Sequence, residues 1–99
     1  MDVYYGTMDV KKFQYTYIIY IPKAWGIKGG DQVYVEYAPL GTEDWTKDMR
    51  RVFSRGTGVV LTLNKSAVQD VKTVVVKLVK VDEDVAARIG VEEDPEALS

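Results

Sequence analysis

The sequence contains no cysteine and no histidine among its 99 residues. Without cysteine there are no disulfides, no thiolate nucleophiles and no thiolate ligands for zinc, and without histidine the commonest general base is also missing. Serine and carboxylate chemistry remains, but Ser54 and Ser66 have no plausible base at a suitable spacing. We therefore predict that the protein is not an enzyme and that it carries no metal and no other cofactor.

Long apolar runs and side-chain amides are also scarce. No run approaches the ~20 apolar residues of a membrane span, and the opening residues MDVYYGTMDVKK lack the order of charged and apolar residues of a signal peptide. These absences predict a cytoplasmic protein without a membrane partner. Asn64 and three glutamines are the only side-chain amides, and such a depletion of thermolabile residues is typical of thermophile proteins.

Charge is unevenly distributed along the chain, although the net charge is only −2. Residues 1–81 contain 12 Lys or Arg and 8 Asp or Glu, whereas residues 82–99 contain Arg88 and 7 acidic residues. The basic body favours a polyanionic partner, and the acidic tail either competes for that basic surface or docks a different partner. The alternative interpretation is that both are solvated surface.

Alternating apolar residues predict a β-rich α+β domain over residues 1–81. The segment KKFQYTYIIYI (11–21) is interpreted as one long strand or a bent pair, and Pro22 ends it because proline cannot donate to a sheet ladder. The glycines of GIKGGD allow a turn with positive φ before the half-buried strand QVYVEYA. Two later strands are GVVLTL and TVVVKLVKV, with a single helical turn between them.

Two further helices are predicted, one inside the domain and one after it. Apolar residues from Trp45 to Phe53 recur at helical spacing behind a capping Thr42, which predicts a connecting helix over about 43–54. Three arginines would lie on its polar side or just beyond its end: Arg50, Arg51 and Arg55. The acidic tail, residues 82–99, is predicted to contain a short helix in DEDVAARIG.

The two β-rich halves of the domain resemble each other at a distance of ~41 residues. IIYIPKAWGIKGGDQVYVEY and VVLTLNKSAVQDVKTVVVKL each contain a β run, a lysine-containing corner, a short connector and a second β run. We interpret them as half-repeats over about 9–40 and 58–81, which predicts a pseudo-two-fold domain.

The stretch IPKAWGIKGGDQVYVE resembles the AbrB-type swapped-hairpin family, which includes transition-state regulators, MazE-type antitoxins and tandem-domain MraZ proteins. In that family a basic pair opens the first strand, Ile-Pro ends the next, and Gly-[Ile/Leu]-x-x-Gly-Asp leads into Val-x-Val. Here the basic pair is Lys11 and Lys12, and the glycine motif runs from Gly26 to Asp31. The family's Asp-x-x-Gly-Arg turn is missing, and its helix is cut to a bend between Pro22 and Gly26.

The resemblance implies a swapped-hairpin barrel and a DNA-binding transcriptional regulator that works as a homo-oligomer. Little in the sequence indicates sequence-specific base readout, so contacts to phosphates are expected to set the affinity. Halves of ~45 residues bury too little surface to offset their backbone entropy, so hairpins are expected to interleave within one chain, between two chains, or in both ways. The residues expected to contact phosphates are Lys11, Lys12, Lys23, Lys28, Arg50, Arg51 and Arg55.

Two other functions stay open at this point. Basic and aromatic residues interleave in KKFQYTYIIY as they do in binding sites for single-stranded nucleic acid, with Tyr15 and Tyr17 as the stacking rings. The opposing interpretation places these tyrosines with Phe13 and Ile19 in a core stripe. The remaining function is that of an antitoxin or another protein-interaction module, whose acidic segment 82–99 becomes ordered on a basic partner.

Overall fold

The computed structural model describes residues 2–81, which form two four-stranded antiparallel sheets. The strands are β1 (Val3–Asp9), β2 (Lys11–Phe13), β3 (Thr16–Tyr20), β4 (Gln32–Pro39), β5 (Thr46–Arg51), β6 (Phe53–Arg55), β7 (Gly58–Leu63) and β8 (Thr73–Val81). Sheet A has the strand order β1-β8-β4-β5, and sheet B has the order β2-β3-β7-β6. A 3-10 turn, Lys23–Trp25, precedes β4, and the one-turn helix α1, Lys65–Val68, precedes β8.

The predicted β-rich α+β class is confirmed, but the predicted barrel is wrong. Neither sheet is closed within residues 2–81. The edge strands of sheet B, β2 and β6, are only three residues long, and they pair with β3 and β7. Their free edges therefore offer too few backbone N–H and C=O groups to close the sheet into a barrel. No helix in this part of the chain has the length and the apolar character needed to cross a lipid bilayer.

The two halves of the chain interleave in sheet A. Strand β1 of the first half pairs with β8 of the second, β8 pairs with β4 of the first, and β4 pairs with β5 of the second. In sheet B the hairpin β2–β3 lies beside the hairpin β6–β7. Each half therefore begins in sheet A, forms a hairpin in sheet B and returns to sheet A, and most of its pairing partners belong to the other half.

The burial pattern follows the same internal symmetry. The alternating buried residues Val33, Val35 and Tyr37 of β4 correspond to Val74, Val76 and Leu78 of β8, a shift of 41 residues from 33 to 74. Glu36 and Lys77 face each other where these two central strands pair. The equivalence covers more chain than the predicted half-repeats, because it also includes β1 and β5 at the start of each half.

The main core lies between the two sheets. It is formed by the inward side chains of the central strands and by residues from the connectors: Met8, Ile19, Ile21, Ile27, Val33, Val35, Tyr37, Val52, Leu61, Leu63, Val68, Val74, Val76 and Leu78. Ile19 and Leu61 are opposite each other at the β3–β7 pairing, and both are fully buried. Both halves thus contribute to one shared interior, which neither could enclose alone.

The connecting helix predicted over 43–54 is wrong, because this segment contains β5 and the start of β6. Trp45 is 39% exposed and Phe53 is 53% exposed, so the residues at helical spacing do not form a buried stripe. Instead β5 pairs with the edge of β4 along its entire length, and Val52 carries the chain from sheet A to sheet B. The open edge of β4 supplied a set of backbone partners that overrode the local helical pattern.

The other predicted elements agree more closely with the structure. Residues 11–21 form the bent pair β2 and β3, the chain bends through a 3-10 turn after Pro22, and the single helical turn is α1. The strands around residues 32–38, 58–63 and 73–81 are β4, β7 and β8. The acidic tail with its predicted helix, residues 82–99, lies outside the described residues.

Tyr37 joins β4 to the start of α1. Its side chain is fully buried, and its hydroxyl oxygen accepts a hydrogen bond of 2.9 Å from the backbone N–H of Asn64. Burial raises the pKa of the Tyr37 hydroxyl above its ordinary value of 10.0, and the Asn64 bond and the charge of Arg50 oppose this shift. Because the phenol ionises more readily in the unfolded chain, Tyr37 contributes stability that is complete below pH 10.0 and declines at higher pH.

Replacement of Tyr37 by Phe is expected to lower the free energy of unfolding by about 1 kcal/mol at pH 7, because the Asn64 N–H loses its partner. The same variant should lose less stability than the parent chain between about pH 9 and pH 11, since no buried phenol remains to ionise. Urea unfolding at several pH values measures both effects. An equally steep alkaline decline in Tyr37→Phe would show that another group causes it.

Candidate nucleic-acid interface

Two segments of the chain, which include all the strands of sheet B, contain no acidic residue. Residues 10–30 and 49–69 contain eight cations and neither Asp nor Glu: Lys11, Lys12, Lys23, Lys28, Arg50, Arg51, Arg55 and Lys65. All the Asp and Glu of residues 2–81 lie outside these two acid-free segments, together with four lysines. Positive charge is therefore concentrated in these two segments, and the rest of the described chain has an excess of negative charge.

Each hairpin of sheet B turns at a residue with positive φ. Gly56 has φ of 59° in the second hairpin, and Gln14 has φ of 56° at the same position of the first. Two-residue hairpin loops require positive φ at the first loop residue or at both, which glycine adopts without a steric penalty. Gln14 accepts a cost of about 1 kcal/mol for this conformation. The result is a pair of short, neighbouring hairpins that project the cations of β2 and β6.

Arg55 and Phe13 connect the two edges of sheet B. The guanidinium carbon of Arg55, on β6, lies 3.4 Å from the ring centroid of Phe13, on β2. Sheet B is therefore curved so strongly that side chains of its two edge strands are in contact. Lys12 lies on the other face of β2, with its Nζ 5.9 Å from the ring centroid of Tyr17. One cation from each half of the chain is thus held against an aromatic ring of the first hairpin.

Arg50 and Arg51 have protein partners. Arg50 forms a salt bridge of 2.8 Å with Asp48, donates from Nη1 to the Thr62 hydroxyl at 3.1 Å, and donates from Nη2 to the side-chain oxygen of Asn64. These contacts join β5 to β7 and to the start of α1. Arg51 donates to the carbonyl oxygen of Gly30 at 3.1 Å and to Gln32 Oε1 at 3.3 Å. Both arginines stabilise contacts between elements, whereas Arg55 lies on the hairpin surface.

Lys23 and Lys28 are exposed on the connector between β3 and β4. The glycine motif shapes this connector, since Gly26 and Gly30 have φ of 69° and 95°. Gly29 allows close packing on the second hairpin, because a Cβ atom there would lie 2.1 Å from the Ser54 hydroxyl oxygen. The connector is further joined to Val52 by the N–H of Gly30, which donates to the Val52 carbonyl at 2.8 Å. Lys28 therefore lies next to Gly29, the residue that packs against Ser54 of β6.

Exposed aromatic rings accompany these cations. Tyr15, in the turn of the first hairpin, is 92% exposed, and Phe13 is 44% exposed. The core-stripe interpretation is wrong for these two residues, although Ile19 is buried and Tyr17 packs against the core. Sequence reasoning also missed Tyr20 and Phe53. The absence of acidic residues from 10–30 and 49–69 was a signal in the sequence that would have directed attention to both hairpins together.

The donor set of the chain does not form a metal centre in the described part. Within residues 2–81 there is no group of three acidic side chains that could hold a metal ion.

Comparison with protein-family models, with characterised proteins and with solved structures gives no match. The case for this interface therefore depends on its charge, its hairpins and its exposed rings.

Proposed function

We propose that this protein is an AbrB-like nucleic-acid-binding protein, a DNA-binding transcriptional regulator that contacts phosphates through sheet B. The observation that carries the proposal is the segregation of charge, with eight cations and no acidic residue in the two acid-free segments. Phosphate contacts by Lys and Arg release condensed counterions and dominate non-specific affinity for DNA. The strands of sheet B carry no carboxylate, so no charge on these strands repels a polyanion.

The topology supports the relationship to swapped-hairpin proteins. Hairpins of the two halves lie side by side in sheet B while the outer strands of the halves alternate in sheet A. This is the arrangement expected when two incomplete units interleave, achieved here within a single chain. Lys11 and Lys12 lie at the start of the first hairpin, where the family has its basic pair, and Arg55 occupies the neighbouring hairpin.

Different contributions are proposed for the seven residues of the site. Lys11, Lys12 and Arg55 contact phosphates from the hairpins, and Lys23 and Lys28 extend the positive surface along the connector. Arg50 and Arg51 add positive potential while their donors hold neighbouring elements together. Because contacts of this kind fix position rather than sequence, the proposed regulator depends on phosphate affinity more than on base readout.

Two partner proposals accompany this function. On the basis of the resemblance we propose that the protein forms a homo-oligomer. Because the two halves of one chain already interleave, the core does not need hairpins to be exchanged between chains. Light scattering of the full chain checks this. The antitoxin or protein-interaction alternative depends on residues 82–99, and capture of a basic partner that is lost on deletion of this segment would favour it.

Neutralising the hairpin cations tests the proposed function. The variant Lys11→Gln/Lys12→Gln/Arg55→Gln is compared with Lys47→Gln/Lys72→Gln/Lys77→Gln, which removes the same charge outside the acid-free segments. Duplex binding is measured by fluorescence anisotropy between about 50 and 200 mM salt. We expect the hairpin variant to lose at least about tenfold in affinity and to reduce the slope of log K against log salt by about 0.9 per lost phosphate contact.

The control variant should keep the slope of the parent chain. Equal losses in both variants would show that overall charge, not sheet B, determines binding. Absence of duplex binding by the parent chain, together with absence of single-strand binding, would overturn the proposed function. Circular dichroism of both variants establishes that each has retained its strands.

A further inference from the structure

The aromatic residues of sheet B share the face that points away from sheet A. Ile19 and Leu61 point into the main core, so their neighbours along β3 and β7 point outward by the two-residue alternation. The pairing of Tyr20 with Val60, and of Val60 with Phe53, places these three residues in one row of that face. We call this surface the outer face of sheet B, and it also includes Lys11, Phe13, Ile18 and Arg55.

This face has a buried floor and an exposed aromatic rim. Ile18 and Val60 are only 4% and 5% exposed, although they lie outside the main core. Around them Phe13, Tyr20 and Phe53 are 44%, 43% and 53% exposed. The rim rings therefore cover the floor with one part of their surface and present the rest to solvent, which is the position of rings that can stack with a ligand.

Charge restricts what can cover these rings. Every formal charge on the strands of sheet B is positive, including Lys11 and Arg55 on the outer face itself. A second copy of the same face would bring these cations together, and a purely apolar partner would leave them without counter-charges. A ligand with flat apolar rings and a negatively charged backbone satisfies both features. Single-stranded nucleic acid has this chemistry.

We propose that the outer face of sheet B, with Tyr15 at its hairpin end, binds single-stranded nucleic acid by stacking unpaired bases on its aromatic rings. This inference rests on the proposed function and specifies the ligand of the same sheet. Lys11 and Arg55 hold the phosphates on this face, while Phe13, Tyr15, Tyr20 and Phe53 supply stacking surfaces. Bases in a duplex are already paired and stacked, so only unpaired bases gain these contacts.

Sheet A provides an internal comparison for the aromatic residues. Tyr5 on β1 is 64% exposed, and its ring lies 5.7 Å from the Nζ atom of Lys77, so it too combines a solvent-exposed ring with a cation. The strands of sheet A also carry three carboxylates, Asp9, Glu36 and Asp48, whereas the strands of sheet B carry none, so repulsion of a polyanion by strand carboxylates occurs only on sheet A. Tyr5 is therefore a matched control for Tyr15, since both are exposed tyrosines in different electrostatic surroundings.

The test uses the full chain and three oligonucleotide probes: oligo-dT of about 15 nucleotides, an abasic strand of the same length, and a duplex. We expect oligo-dT to bind at least about tenfold more tightly than the abasic strand, because both have phosphates and only one has bases. The variant Tyr15→Ala/Phe53→Leu should lose at least about tenfold for oligo-dT and almost nothing for the abasic strand. Leucine at 53 keeps the floor covered while it removes the ring.

Tyr5→Ala should bind all three probes as the parent chain does. Equal binding of oligo-dT and the abasic strand, or equal losses of the double variant on oligo-dT and duplex, would overturn the stacking site and leave phosphate binding by sheet B intact. Failure of all three probes to bind would overturn the proposed function as well. The single variant Tyr15→Ala, at a turn residue that is 92% exposed, keeps the test valid if the double variant does not fold.

Discussion

The fragments 1–41 and 42–99 are each expected to be unfolded alone and to fold together when they are mixed. Strands β1 and β4 of the first fragment have no pairing partner in sheet A except β8 and β5 of the second. Within each fragment only one hairpin of sheet B remains, with a three-residue edge strand. An isolated hairpin is marginally stable at best, so separation of the fragments should abolish nearly all native structure.

Far-UV circular dichroism of each fragment and of the equimolar mixture measures this effect. Trp25 supplies a second signal, because its ring stacks on that of Tyr4 with centroids 5.2 Å apart in the folded chain. The cut lies in the exposed loop between β4 and β5, so it removes no ladder hydrogen bond. Each fragment at twice its concentration is the control. A fragment that folds as a monomer would contradict the interleaved topology.

The sequence was most informative where burial alternates along a central strand. Strands β4 and β8 have neighbours on both sides and one face in the core, so their apolar residues follow the two-residue period that identifies a strand. Strand β1 lacks this signal, because Met8 is its only buried residue and backbone pairing with β8 determines its conformation. Edge strands of this kind are specified by a partner that is distant in the sequence.

The misassigned helix has the same origin. Its pattern from Trp45 to Phe53 was a local regularity, and β5 formed because β4 offered an unpaired edge in the folded chain. The partners of Arg50 were equally inaccessible to sequence reasoning, since Thr62 and Asn64 follow it by 12 and 14 residues. Local spacing indicated which residues were basic but not which of them already had acceptors.

The stacking face required knowledge of the strand register. From the period alone, Phe13, Tyr15 and Ile19 share one side of a continuous strand. The turn at Gln14 breaks that continuity, so Phe13 lies on the outer face while Ile19 lies in the core. Phe53 joins the same face only through the pairing of β6 with β7. The aromatic content was visible in the sequence, whereas its division between core and surface depended on one turn residue.

The replacement Leu61→Ala is expected to lower the free energy of unfolding by about 2–5 kcal/mol. Leu61 is fully buried opposite Ile19, where the two halves meet in sheet B, so its removal leaves a cavity that neither half can fill by a local shift. The loss is large beside the roughly 5–15 kcal/mol that stabilises an ordinary domain. Urea unfolding, monitored by circular dichroism, measures the change in midpoint.

The reciprocal swap Ile19→Leu/Leu61→Ile is the matched control for this cavity. It conserves the number of buried carbon atoms and is expected to cost less than about 1.5 kcal/mol. If the halves share one interior, Leu61→Ala should destabilise residues of both halves in a single transition, even though Leu61 itself belongs to the second half. Two separate transitions, with the first half unaffected, would show two independent cores. A single transition at a lower midpoint is the behaviour that interleaved strands require, because no sheet A pairing survives the loss of either half.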